Sequence, residues 1–185
     1  MTEDSPKPAT TPRTRAKARH ILDNYYIGPA RDEAVLEIWG YTPKMSYAPG
    51  DRVALHVSTT ASDWDLEIGR DGAGYKQLLH ETGLPGQDHP TPHDCSVNGC
   101  GWPESFAFTV PADWRPGGYL VTLRARRGEN AVEEHHIILV RAAPDTAPPP
   151  YVLVCATGTW LAYNCWGGSN HYEGITGPDG NAFSP

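Results

Sequence analysis

The feature that most constrains this fold is a series of short, turn-punctuated segments in which apolar side chains recur at every second position. In Arg52–Ser58, Val53, Leu55 and Val57 share one side, while Arg52, Ala54, His56 and Ser58 share the other. That period of two belongs to a half-buried strand, because successive side chains leave a pleated backbone on opposite faces. The turn Pro49-Gly50-Asp51 delivers the chain into this strand. Proline presets φ there and glycine accepts positive φ. Val35–Tyr41, Trp64–Arg70, Ser105–Val110, Gly118–Arg126 and Glu133–Val140 read as further strands. Trp114-Arg115-Pro116-Gly117-Gly118-Tyr119 is a second turn, after which Tyr119, Val121, Leu123 and Ala125 face inward.

Six or seven strands between residues 31 and 141, without a convincing amphipathic helix, predict a mainly β chain built on an immunoglobulin-like sandwich. Asp71–Pro103 fits no strand pattern and reads as an irregular insertion. Residues 1–30 are rich in Pro, Thr, Lys and Arg and read as a disordered or partly helical tail, with Ala18–Tyr26 as a short helix. Residues 142–150 form a proline-rich linker. Beyond it, the apolar run Tyr151–Cys155 predicts the first, fully buried strand of an incomplete α/β domain spanning 151–185. One strand and its loop cannot bury themselves, so the chain reads as part of something larger.

The 185 residues suffice for one good core. A formal charge of −7 argues against a protein that tracks nucleic-acid phosphates. No apolar run is long enough for a membrane span and no leader-like segment opens the chain, so the expected location is cytoplasmic. The four cysteines, Cys95, Cys100, Cys155 and Cys165, do not resemble the framework of a disulfide-rich secreted domain. Cys95 and Cys100 would pair only in an oxidising compartment.

The segment most suited to a site follows Cys155. Thr159 to Tyr172 is dense in aromatic and amide side chains and contains paired glycines. Trp160, Trp166, Gly167 and Gly168 read as pocket-shaping residues, the tryptophans as apolar walls and the glycines as points of close backbone approach. His171 is a candidate general base. A separate metal reading uses His89, His93, Cys95 and Cys100, four zinc-type ligands within twelve residues. Prolines at 90 and 92 and the lack of a Cys-x2-Cys knuckle weigh against it. His135 and His136, adjacent on a strand, point to opposite faces and form no joint site.

Gly40-Tyr41 with Ser46 and Pro49-Gly50-Asp51, the Gly99-Cys100-Gly101-Trp102 turn, Asp113-Trp114-x-x-Gly117-x-Tyr119-x-x-x-Leu123, and Thr159-Trp160-x-Ala162-Tyr163-Asn164-x-Trp166-Gly167-Gly168 stand out together. In these motifs residues 35–185 resemble the large (β) subunit of N,N-dimethylformamidase, in its N-terminal portion. The last motif is the most specific of them.

The resemblance implies an amidohydrolase that splits small N-alkyl formamides into formate and amine at a mononuclear iron held by two tyrosines and a glutamate. Hard oxygen donors suit ferric iron. It implies that an immunoglobulin-like region precedes a glutamine-amidotransferase-like α/β domain, of which this chain holds only the start, and that the chain is inactive alone. Tyr163 matches the first tyrosine ligand and Asn164 a neighbouring group that orients substrate or water; the other ligands have no counterpart here. The implied partners are a small amide substrate and a small subunit or further copies of the chain; the charge and the lack of a long apolar run, not the resemblance, are what argue against nucleic acid and membrane. A different class of reading is a free-standing immunoglobulin-like module for a carbohydrate or protein, with Trp64, Tyr75 and Trp102 as a sugar platform.

Overall fold

The computed structural model describes residues 33–92, 94–143, 146–147, 151–164, 166, 175–176 and 182–183. The tail expected over residues 1–30 lies outside them, as does most of the proline-rich linker.

Eight strands form two sheets. The smaller contains β1 (Ile38–Tyr41), β3 (Arg52–Thr59) and β6 (Phe106–Thr109), in the order β1-β3-β6 and antiparallel throughout. The larger contains β2 (Ser46–Tyr47), β4 (Asp63–Arg70), β5 (Lys76–Pro85), β7 (Gly117–Arg127) and β8 (Asn130–Val140), ordered β2-β8-β7-β4-β5. Among the described strands only the β2–β8 pair is parallel. The first strand segment thus switches sheets between Tyr41 and Ser46, which closes one side of the sandwich. This arrangement is that of an immunoglobulin-like fold.

Period-two patterning explains the core. Val53, Leu55 and Val57 from β3 meet Trp64, Leu66 and Ile68 from β4, Tyr119, Val121, Leu123 and Ala125 from β7, and Ile138 and Val140 from β8. Trp64 is 1% exposed, and its Nε1 donates to the carbonyl of Pro85 at 3.1 Å, so burial leaves no orphaned donor. Tyr119 is fully buried and donates its hydroxyl to the Arg115 carbonyl at 2.7 Å. A tyrosine bonded to the turn that precedes its own strand ties the corner of an immunoglobulin-like sandwich. Trp114 stacks on the same ring at 4.6 Å.

The Pro49-Gly50 turn is type II. Asp51 N–H donates to Ala48 O at 3.0 Å and Gly50 has φ of 87°. The Asp51 carboxylate accepts from Ala48 N–H at 2.7 Å and pairs with Arg141 at 3.2 Å, linking the turn to the end of β8.

Two expectations need correction. Asp71–Pro103 contains a ten-residue strand, β5, at the edge of the larger sheet. Its pairing with β4 shifts register twice, and its side chains are mostly exposed, so no clean alternation marks it. Tyr151–Val154, expected as a buried strand, has no strand structure and is 81–87% exposed. A short six-residue helix, α2 (Thr157–Ala162), follows. No α/β domain is evident among the described residues; a short ladder of β9 (Ile175–Thr176) with β10 (Ala182–Phe183) is present instead.

Candidate functional site

The face of the smaller sheet that points away from the core carries the densest chemistry. In β1, Ile38 and Gly40 turn toward the core and Trp39 and Tyr41 away from it. In β3, His56 and Ser58 do the same, opposite Tyr41 and Trp39 in the register. Tyr41 and His56 stack at 5.0 Å with planes 10° apart.

The connection from β5 to β6 covers these groups. Thr59 N–H donates to Gln87 O at 3.0 Å, and His89 N–H donates to Ser58 Oγ at 2.9 Å, so the loop is stitched along β3. A single turn, α1 (Cys95–Asn98), follows before Trp102 is set over the face. Trp102 is 4% exposed, lies 5.7 Å from the Tyr41 ring and donates its indole N–H to Pro90 O at 3.0 Å. Its carbonyl is 2.7 Å from His56 Nδ1. Burial raises the Tyr41 phenol above its ordinary value, against the opposing pull of a backbone hydrogen bond from Trp102, so it is a neutral hydroxyl at physiological pH.

The C-terminal motif reaches this face through one residue. Trp166 meets Trp39 edge-on at 5.9 Å and Trp102 at 5.8 Å and 87°. Its N–H donates to Asn164 Oδ1 at 3.2 Å, and Asn164 N–H donates to Leu161 O at 3.2 Å at the end of α2. Tyr163 caps that helix and is 61% exposed, Trp160 is 41% exposed, and no residue of α2 is buried. Gly167, Gly168 and His171 lie outside the described residues. The structure therefore joins Trp166 and Asn164, leaves Trp160 and Tyr163 toward solvent, brings in Tyr41 of the Gly40-Tyr41 motif, and adds Trp39 and His56, which the sequence motifs do not include. The available signal was an aromatic pair two residues apart on a strand's outer side, a pattern that needs a cover.

Neither metal reading is assembled by these residues. Among the described residues no group of three or more His, Cys, Asp or Glu side chains converges. His93 lies outside them. The His89 ring faces Trp102 at 6.5 Å. Burial, and then the neighbouring Cys95 thiol, push Cys100 up to about 12, so it is held protonated and is a poor ligand and nucleophile as it stands. Neither of these two cysteines is in a disulfide. For iron, Tyr163 is a chemically suitable oxygen donor that stands 61% exposed at the end of α2, and the partners that would complete a ligand set have no counterpart among the described residues. The sugar platform is not assembled: Trp64 and Trp102 are buried, which leaves only Tyr75 of the three, 48% exposed with its hydroxyl on Glu67.

No curated protein matches the chain significantly. Among solved structures it is similar to the solution structure of the PKD domain from human VPS10 domain-containing receptor SorCS2. The identity is 14% and the TM-score 0.32, over 60% of this chain and 76% of that one. The sequence model of the family described as N,N-dimethylformamidase beta subunit-like, C-terminal, matches residues 61–185. The match runs from just before β4 to the end of the chain, through the Trp160–Gly168 motif, and it corrects the assignment to an N-terminal portion. Since it spans well over half of the sequence, the chain belongs to the N,N-dimethylformamidase beta subunit-like family.

Proposed function

We propose that this chain is part of an amidohydrolase that cleaves small N-alkyl formamides to formate and an amine, with its sandwich acting as the platform for a site built around the Trp160–Gly168 motif. The observation that carries this reading is the family match over residues 61–185, which includes the whole motif. Iron enters only through the family resemblance. In this reading Tyr163 is one oxygen donor, and the ligands that complete the set come from outside the described residues. When bound, iron would polarise the amide carbonyl and acidify a water. Asn164 holds a defined place because its side-chain oxygen accepts from Trp166 N–H, which leaves its amide N–H groups to orient a carbonyl or water.

The reading is tested by incubating the purified whole native enzyme of which this chain is proposed to be part, supplied with ferric iron, with N,N-dimethylformamide and following formate and dimethylamine by proton NMR. Equal release of both products supports it. Release no faster than in a protein-free control refutes it.

A further inference from the structure

The placement of Trp166 assigns a role to the sandwich's outer face that the amide-hydrolysis reading does not itself require. α2 has six residues, none of them buried. A helix of that length has no stability of its own in water, because nucleation costs more than so few hydrogen bonds return. Something other than its own packing must fix its position. Trp166 supplies that link, since its ring sits edge-on to both Trp39 and Trp102.

Both of those rings are themselves fixed. Trp39 lies on β1, where its indole N–H donates to Glu37 Oε2 at 3.2 Å. Trp102 is buried and bonded to Pro90 O. From Trp166 the connection continues in two bonds, its N–H to Asn164 Oδ1 and Asn164 N–H to Leu161 O, and so reaches the turn that carries Tyr163.

We propose that Trp39, Trp102 and Trp166 form a clasp through which the smaller sheet positions Tyr163 and Asn164, making all three tryptophans positioning residues; the catalytic consequence rests on the amidohydrolase reading above. The clasp is chemically suited to that task. Edge-to-face aromatic pairs have a preferred geometry, so they fix orientation as well as proximity. They also pack without polar partners that water competes for. An error of about 1 Å in the position of a catalytic group costs on the order of a hundredfold in rate, which makes such a remote anchor consequential.

The experiment uses Trp166→Ala and Trp166→Phe in the native protein. Trp39 and Trp102 are left alone because the sandwich itself contains them. Three readouts are taken: hydrogen exchange of the amides of residues 160–164, the thermal midpoint of the sandwich, and kcat and KM for N,N-dimethylformamide. The clasp predicts that Trp166→Ala speeds exchange of those amides by about tenfold or more with the thermal midpoint unchanged, and that Trp166→Phe restores most of the protection. It further predicts a fall in kcat of about tenfold or more with little change in KM, again rescued by phenylalanine. Unchanged exchange in Trp166→Ala overturns the clasp, whatever the activity. Faster exchange with unaltered kcat overturns its positioning role. Faster exchange in a protein that hydrolyses no formamide confirms the clasp as an anchor and refutes the amidohydrolase reading instead.

Discussion

Acidifying the solution should weaken this sandwich before any carboxylate is protonated, because of His136. The residue belongs to the core-facing set of β8, in register with Val121 of β7, and its Nε2 lies 2.7 Å from Thr42 Oγ1 in the segment where the chain switches sheets. Burial pushes the imidazole down from 6.5 to about 4. In the unfolded chain it titrates near its ordinary value, so the unfolded state takes up the proton first and stability falls as pH is lowered. The contribution is fully present above about pH 6.5, declines between 6.5 and 4, and is gone below 4. A separation of about 2.5 units at 1.36 kcal/mol per unit corresponds to about 3 kcal/mol, a large share of a typical domain's stability. His136→Gln keeps a side chain able to bond Thr42 but removes the titration. Urea unfolding followed by tryptophan fluorescence at pH 7, 5.5 and 4 measures both proteins. The wild type should lose about 3 kcal/mol more than the variant over that range. Parallel pH profiles for the two proteins would show that His136 is not buried neutral in the core.

Three further outcomes follow from the geometry. Gly50→Ala places a Cβ at φ of 87° in a type II turn and should cost about 1 kcal/mol, read as a lower thermal midpoint. Tyr75 is pushed up to about 12 by burial and by its hydrogen bond to Glu67; a Cβ in Gly69→Ala collides with the Tyr75 ring, so ultraviolet titration of the variant should find that phenol ionising closer to its ordinary value of 10.0. Cys95 and Cys100, shielded and with Cys100 held protonated, should react with a disulfide thiol reagent at least about tenfold more slowly in native protein than in urea, as measured by absorbance.

The sandwich was legible wherever one face of a strand is buried, since burial enforces alternation. Val53, Leu55 and Val57 declare β3, and Tyr119 to Ala125 declare β7, for that reason. β5 escaped because it is an edge strand with adjacent leucines at 78 and 79 and two register shifts, so neither face is continuously buried. The reverse error occurred at Tyr151–Val154, where β-branched and apolar residues resemble a core strand but no partner strand pairs with them among the described residues. At the site, the sequence marked the aromatic motif around Trp166 and, in separate motifs, Tyr41 and Trp102, but neither Trp39 nor the meeting of these rings. Trp39 and Tyr41 precede Trp166 by over a hundred residues, and only the β1–β3 register and the covering loop bring these rings to one face.

The most direct test of the whole account compares formate release from N,N-dimethylformamide by the iron-supplied whole native enzyme of which this chain is proposed to be part and by its Tyr163→Phe variant. Phenylalanine keeps the ring on α2 and deletes only the oxygen donor. The account predicts formate release by the native protein and at least a hundredfold slower release by the variant, as expected for loss of a group the chemistry depends on. Equal rates would remove Tyr163 from the site, and no release by either protein would contradict the assignment of amide hydrolysis itself.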